Sequence, residues 1–310
     1  MKRLRFGLSA RDVEAAQWPA MVRRAEAAGY ATLLFADHLG MPGPLVRLGA
    51  AAAVSDRVRV GTLVLNNDFR HPGVLAQEIA TVDALSGGRV ELGLGAGHMR
   101  AEYDAIGLPF DPPAHRIARL AEAAEILRRL FAGETVSHQG AHYRLERHRL
   151  EPQPPQGAEL PLLIGGTGTR LLRAAARHAD IVQFTGFLPL EGGTRPTLSH
   201  FSVGGLADRI AVVEQAAGPR FGELELSVLV QMVLITPDRE KAAHQLVAER
   251  GWQAAPADLL DCPFLLLGTV AEVSEQIRRY RQQLGITYLT VFEGRSDGFE
   301  DVVSELAESS

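Results

Sequence analysis

Apolar runs of strand length alternate along the chain with longer stretches in which apolar positions recur every three or four residues. The strand-like runs begin near residues 4, 32, 58, 90, 161, 180, 225 and 288, and most are followed by a helix-like stretch. RFGLSA precedes a helix that carries Trp18, Met21, Val22 and Ala25 on one face and is stopped by Gly29. TLLFADH leads to a helix through the alanines at 50–53. VRVGTLVLN, the link NDFRHP, the helix VLAQEIATVDALSGGR and the strand VELGLGAG follow as one unit. Segment 114–131 places Ile117, Leu120, Ala124, Leu127 and Phe131 on a stripe. LPLLIGG feeds a helix near 169–178, DIVQFTG feeds one near 206–217, and LELSVLVQMVLIT reads as one long strand. In the last unit Thr269 and Glu272 form a capping box, Val270, Val273, Ile277, Tyr280 and Leu284 make the stripe, and Gly285 ends the helix before TYLTVF.

Eight βα repeats with continuous apolar strands specify a parallel sheet buried on both faces. The expected fold class is α/β, a closed (β/α)8 TIM barrel forming a single domain over residues 1–310, with insertion segments at its C-terminal face. An open doubly wound sheet is the alternative, but the first strand lacks the G-x-G-x-x-G loop that such folds often carry. Three stretches interrupt the repeat: 133–160 reads as a short hairpin plus a proline-rich connector, 186–205 as a Gly- and Pro-rich loop, and 251–267 resists assignment. The 186–205 loop follows a barrel strand, so it reads either as a lid over the catalytic face or as a surface excursion.

Composition narrows the class. The chain has 310 residues, 46% hydrophobic and 22% charged, which fits a water-soluble protein with a large core. Its net charge of −5 argues against a nucleic-acid binder. The basic run 142–152, HYRLERHRLEP, is diluted by Glu146 and Glu151 and has no zinc-ligand spacing, so it reads as a solvated hairpin. No apolar run of about 18 residues and no export signal is present, so neither a membrane span nor secretion is expected. A single cysteine, Cys262, rules out an internal disulfide and is read as structural, and the expected compartment is the cytoplasm.

In a βα barrel the chemistry sits where the strands end. Asp37 and His38 close the second strand; an imidazole there exchanges a proton near neutral pH, and an adjacent carboxylate would orient it. Leu63, Val64, Leu65 and Asn66 close the third strand. Gly95, Ala96 and Gly97 remove side chains where a flat ring would approach backbone, and His98 follows. Glu102 and Tyr103 read as helix-surface groups, with a pocket position as the alternative. Gly165, Gly166, Thr167, Gly168 and Thr169 join the fifth strand to its helix; free amides at a helix start bind phosphate, and Arg170 and Arg173 stand nearby. Gln183, Phe184, Thr185, Gln231 and Phe292 are expected to shape the substrate pocket.

The segments TLLFADH, VRVGTLVL, HPGVLAQEIATVDALSGGRVELGLGAGH with EYDAIGLPF, LLIGGTGTRLLRAAARHADIV and GTVAEVSEQIRRYRQQLGITYLTVF occur in an order that resembles the luciferase-like monooxygenase superfamily, closest to its coenzyme F420-dependent branch. The resemblance implies a flavin- or deazaflavin-dependent oxidoreductase, with F420-dependent hydride transfer to or from a small organic substrate as the leading reading. The alternatives are a two-component monooxygenase that takes reduced FMN from a partner reductase and uses O2, and a barrel that binds flavin without catalysis. The resemblance also implies His38 as the proton-handling residue oriented by Asp37, and a cis peptide at Leu63 and Val64 behind the ring. It makes Asn66, Gly95, Ala96, Gly97 and His98 cofactor contacts, and Gly165, Gly166, Thr167 and Gly168 the phosphate loop. Where some F420-dependent relatives carry an acidic residue this chain has His98, for which proton donation, stacking on the ring and lining the pocket stay open. The helices after the second and third strands resemble the dimer surface of the family, so a homodimer is expected.

Overall fold

The computed structural model describes residues 2–10, 14, 16–186, 201–250 and 255–308. In chain order its strands are β1 (Arg5–Ala10), β2 (Thr32–Phe35), β3 (Arg59–Thr62), β4 (Leu65–Asn66), β5 (Val90–Gly95), β6 (Val136–Gln139) and β7 (Arg144–His148). They continue with β8 (Leu162–Gly166), β9 (Ile181–Thr185), β10 (Glu225–Leu229), β11 (Met232–Ile235), β12 (Leu265–Gly268) and β13 (Ile286–Phe292). The helices of the first half are α1 (Trp18–Ala27), α2 (Pro44–Val54), α3 (Pro72–Ser86), α4 (Arg100–Ala105) and α5 (Pro113–Phe131). Those of the second half are α6 (Thr169–His178), α7 (Val203–Ala217), α8 (Arg239–Arg250), α9 (Pro256–Leu260), α10 (Val270–Leu284) and α11 (Phe299–Glu308).

Strands β3, β2, β1, β13, β10, β9, β8 and β5 pair in that order, all parallel, and β3 pairs back onto β5. That last pairing closes the sheet into an eight-stave barrel and excludes the open alternative. The staves are buried on both faces, as their apolar runs require: every residue of β2 and of β5 is buried. Helix α10 forms at its expected place because Thr269 Oγ1 accepts from the Glu272 amide, the Glu272 carboxylate accepts from the Thr269 amide at 2.8 Å, and Gly285 takes φ 69° at the C-terminus. The hairpin expected within 133–160 is β6 with β7.

Alternate strand residues point into the barrel. At its N-terminal end the Arg5 guanidinium donates to Glu225 at 2.6 and 2.8 Å and to Glu91 at 2.8 Å, while the Tyr288 hydroxyl donates to the other Glu91 oxygen at 3.0 Å. This ion-paired plug closes the bottom. Above it Leu34, Leu63, Leu163 and Ile181 pack around the Tyr288 ring. Higher still, Gln183 Nε2 lies 3.3 Å from both Ser227 Oγ and Thr290 Oγ1. The interior thus turns from apolar to polar toward the C-terminal mouth.

Two expectations change. The run LELSVLVQMVLIT is two strands, not one: β10 stays in the barrel, whereas β11 leaves it and pairs in parallel with β12. The switch occurs where the Val230 amide donates to Thr290 O in the barrel and the next amide, of Gln231, donates to Phe264 O outside it, each at 2.8 Å. The unassigned stretch 251–267 contains α9 and the start of β12. Within the 186–205 loop, residues 187–200 lie outside the described residues; α7 begins at Val203.

Candidate active site at the barrel mouth

Asp37 and His38 follow β2 as expected, but they do not touch each other in the expected way. The Asp37 carboxylate receives both Arg70 terminal nitrogens, at 2.5 and 3.2 Å, and the Asn66 amide at 3.0 Å. Both its oxygens are therefore committed to the segment after β3. The partner of His38 is Glu102, whose Oε1 lies 2.8 Å from His38 Nδ1. The cause is local geometry: successive residues leaving a strand point to opposite sides, so neighbours in sequence diverge. The Glu102 and Tyr103 reading is corrected accordingly, since both are buried, at 8% and 0% exposure, rather than on the helix surface.

The third stave breaks between β3 and β4 at Leu63–Val64, where the peptide bond is cis. The Leu63 amide still donates to Phe35 O at 2.8 Å, and β4 resumes pairing with β5 through Leu65 opposite Leu94 and Asn66 opposite Gly95. The glycines of β5 fit this break. A Cβ on Gly93 would sit 2.0 Å from Thr62 O, and one on Gly95 would sit 2.6 Å from Val64 Cγ2.

The stretch after β5 is held from two sides. Arg116 donates to the carbonyls of Ala96, at 3.2 Å, and of Gly97. Gly97 takes φ +71°, and a Cβ there would meet the Tyr103 hydroxyl at 2.0 Å. That hydroxyl lies 3.0 Å from Asn66 Oδ1 and 2.9 Å from Asp68 Oδ2, and burial together with the Asp68 carboxylate pushes its pKa up to about 12. Arg119 neutralises Asp68 at 2.9 Å. Arg70, Arg116 and Arg119 were invisible to sequence reasoning, because each looks like one more solvated arginine.

The His98 ring stands edge to face with that of His38, centroids 5.6 Å apart. Crowding by surrounding protein disfavours its charged form, and the neighbouring His38 adds to this, so the His98 pKa falls below the usual histidine value. Gly165 to Gly168 lead into α6, whose N-terminus carries no side-chain cap. Its first-turn amides are thus open to an anion. Among the expected pocket residues, Gln183 faces the barrel interior, whereas Phe184 faces outward into the helix layer and is fully buried there. A separate cavity of about 360 Å3 is lined by Asp68, Arg70, His71, Tyr103, Arg119 and Tyr143 among others, but not by His38.

Comparison with known proteins adds four findings. A family model described as luciferase-like monooxygenase matches residues 5–288. The F420-dependent glucose-6-phosphate dehydrogenase of Beutenbergia cavernae is 33% identical over 264 residues, covering 82% of this chain and 74% of that protein. Among solved structures, the coenzyme F420-dependent tetrahydromethanopterin reductase of Methanopyrus kandleri aligns with a TM-score of 0.78 at 19% identity, covering 99% of this chain and 97% of that one. A riboflavin lyase solved with modified FMN and riboflavin aligns with a TM-score of 0.79 at 15% identity, covering 99% and 92%.

Proposed function

Since this chain belongs to the luciferase-like monooxygenase family, we propose that it is an oxidoreductase using coenzyme F420 for hydride transfer to or from a small organic substrate. The observation that carries the reading is the 33% identity, over most of the chain, to a protein named an F420-dependent dehydrogenase. The mouth fits such a coenzyme. The break at Leu63–Val64 over glycines Gly93 and Gly95, with Asn66, Ala96 and Gly97 beside it, offers a backbone-lined wall for a flat ring. The uncapped start of α6 at Gly165, Gly166, Thr167 and Gly168 offers amides to a phosphate. When bound, the coenzyme supplies the two-electron chemistry; the protein supplies placement and a proton acceptor. His38 is that acceptor, with Nε2 free of hydrogen bonds to the described residues and the side chain 33% exposed at the mouth.

The second reading keeps the fold and uses reduced FMN, delivered by a reductase, with O2. His98, where the resemblance implies an acidic residue in some F420-dependent members, favours it. Titration of the purified protein with each cofactor, followed by fluorescence, tests the choice. F420 is expected to bind at least tenfold tighter than FMN, whereas tight FMN binding with O2 consumption tied to product refutes the first reading. Binding without turnover for any alcohol or carbonyl substrate supports a non-catalytic barrel.

The chain is read as one domain over residues 1–310 and as a homodimer. Exposed Val46 on α2, at 79%, and Val74 and Leu85 on α3, at 56% and 72%, give these two helices an apolar outer face. No described helix is long and apolar enough to cross a membrane. The cytoplasm is the proposed compartment, from the single cysteine; Cys262 is buried and burial pushes its thiol pKa up to about 12, in keeping with a structural role.

A further inference from the structure

We propose that Glu102, and not Asp37, is the positioning residue of His38, fixing the imidazole as its Nδ1–H tautomer so that Nε2 presents a lone pair to the substrate hydroxyl. The proposal rests on the oxidoreductase reading above and names the element that tunes its proton acceptor. An ionised carboxylate only accepts hydrogen bonds, so a Glu102 Oε1 to His38 Nδ1 distance of 2.8 Å places the proton on Nδ1. The other ring nitrogen is then the base. Asp37 cannot share the task, because its two oxygens already hold Arg70 and the Asn66 amide.

Glu102 is itself held in place. Its neighbour Tyr103 is fully buried and anchored between Asn66 and Asp68, and Arg116 ties down the Ala96 and Gly97 carbonyls that lead into α4. The Glu102 side chain is 10% exposed, and His38 is its one hydrogen-bond partner among the described residues. A carboxylate that far from water needs such a partner, and it stabilises the imidazolium that forms when Nε2 takes a proton. In the oxidative direction the coenzyme of the proposed reading, when bound, would take the hydrogen of the substrate carbinol C–H bond with its electron pair, as hydride. The O–H bond breaks at the same carbinol, its pair completing C=O and its proton passing to Nε2. Among the described residues Glu102 makes its hydrogen bond to His38 and not to His98, whose cationic form burial disfavours, so this proton goes to His38.

The test begins with nitrogen NMR of protein labelled at histidine, with the His38 signal identified by its loss in His38→Asn. No cofactor or substrate is needed. The native protein should show Nδ1 protonated, and so should Asp37→Asn. Glu102→Ala should populate the Nε2–H form, while Glu102→Gln, whose amide oxygen still accepts from Nδ1–H, should keep the native tautomer. In turnover, Glu102→Ala should lose on the order of 100-fold in kcat with KM within about threefold, partly restored by added acetate. Glu102→Gln should fall between the two, and it serves also if the alanine variant fails to fold. A tautomer that ignores Glu102→Ala, or one that follows Asp37→Asn instead, overturns the proposal while leaving the coenzyme assignment intact. A failed cofactor titration would overturn the coenzyme assignment, and with it the catalytic use of Nε2, while leaving the role of Glu102 in fixing the tautomer intact.

Discussion

Gly97→Ala tests whether the network behind the mouth is as tightly built as the geometry says. Placing alanine at φ +71° costs about 1–2 kcal/mol. The new Cβ would lie 2.0 Å from the Tyr103 hydroxyl, which must then leave Asn66 and Asp68; losing a buried hydrogen bond costs about 1–3 kcal/mol. The total is roughly 2–5 kcal/mol. With an unfolding entropy of about 2.1 cal/mol/K per residue over 310 residues, each kcal/mol moves the melting temperature about 1.5 °C, so Gly97→Ala should melt roughly 3–8 °C lower. Tyr103→Phe alone removes the hydroxyl but leaves Asp68 with Arg119 and Asn66 Oδ1 with the Asp68 amide, for a loss of about 1–2 kcal/mol. In the double variant the offending oxygen is gone. Its stability should therefore exceed the additive value by about 1–3 kcal/mol, measured by denaturant unfolding of the four proteins. A coupling below about 0.5 kcal/mol would mean that the Tyr103 hydroxyl is not what requires glycine at 97, leaving the backbone angle and the Asn66 side chain, and the argument from Tyr103 would fail.

Glu91→Ala removes the centre of the barrel-bottom plug and strips both the Arg5 guanidinium and the Tyr288 hydroxyl of their buried carboxylate partner, so it should cost about 3–5 kcal/mol in unfolding experiments without weakening cofactor binding; a near-neutral effect would contradict the arrangement. His98 and His178 both have pKa values below the unfolded one, with burial the leading cause, so the unfolded chain binds more protons in the window below about pH 6.5. Stability should fall as pH drops through that window, and His98→Gln with His178→Gln should flatten the slope in unfolding curves; an unchanged slope would count against it. Thr269→Ala should cost about 1 kcal/mol, read as a melting point about 1.5 °C lower, through loss of the α10 cap.

The barrel was legible because strands buried on both faces must be continuous apolar runs, and all eight staves begin within two residues of the positions read from the sequence. The division of β10 from β11 was not legible. Both halves are equally apolar, and what parts them is which carbonyl receives the Val230 and Gln231 amides, Thr290 or Phe264, a choice made by distant chain. Helix α8 lies with β11 and β12 outside the eight repeats, so counting repeats gives no reason to expect it. The same division holds at the mouth. His38 could be found from its place at a strand end, but its partner lies 64 residues away and no local pattern marks it. The adjacent Asp37 was the natural choice by sequence, but its carboxylate holds Arg70 and the Asn66 amide instead.

The glycines carry the most instructive difference. Gly95 and Gly97 look, in sequence, like space cleared for a ring. In the structure Gly93, Gly95 and Gly97 stand against Thr62, Val64 and Tyr103 in turn, and each would clash with protein before it met any ligand. Glycine at these positions first allows the broken third stave and α4 to close onto β5. The wall that this closure produces is what a flat cofactor would meet. The glycines therefore act on a ligand through the packing of their neighbours, so the stability of the empty protein should respond to substitution at these positions before any binding constant does.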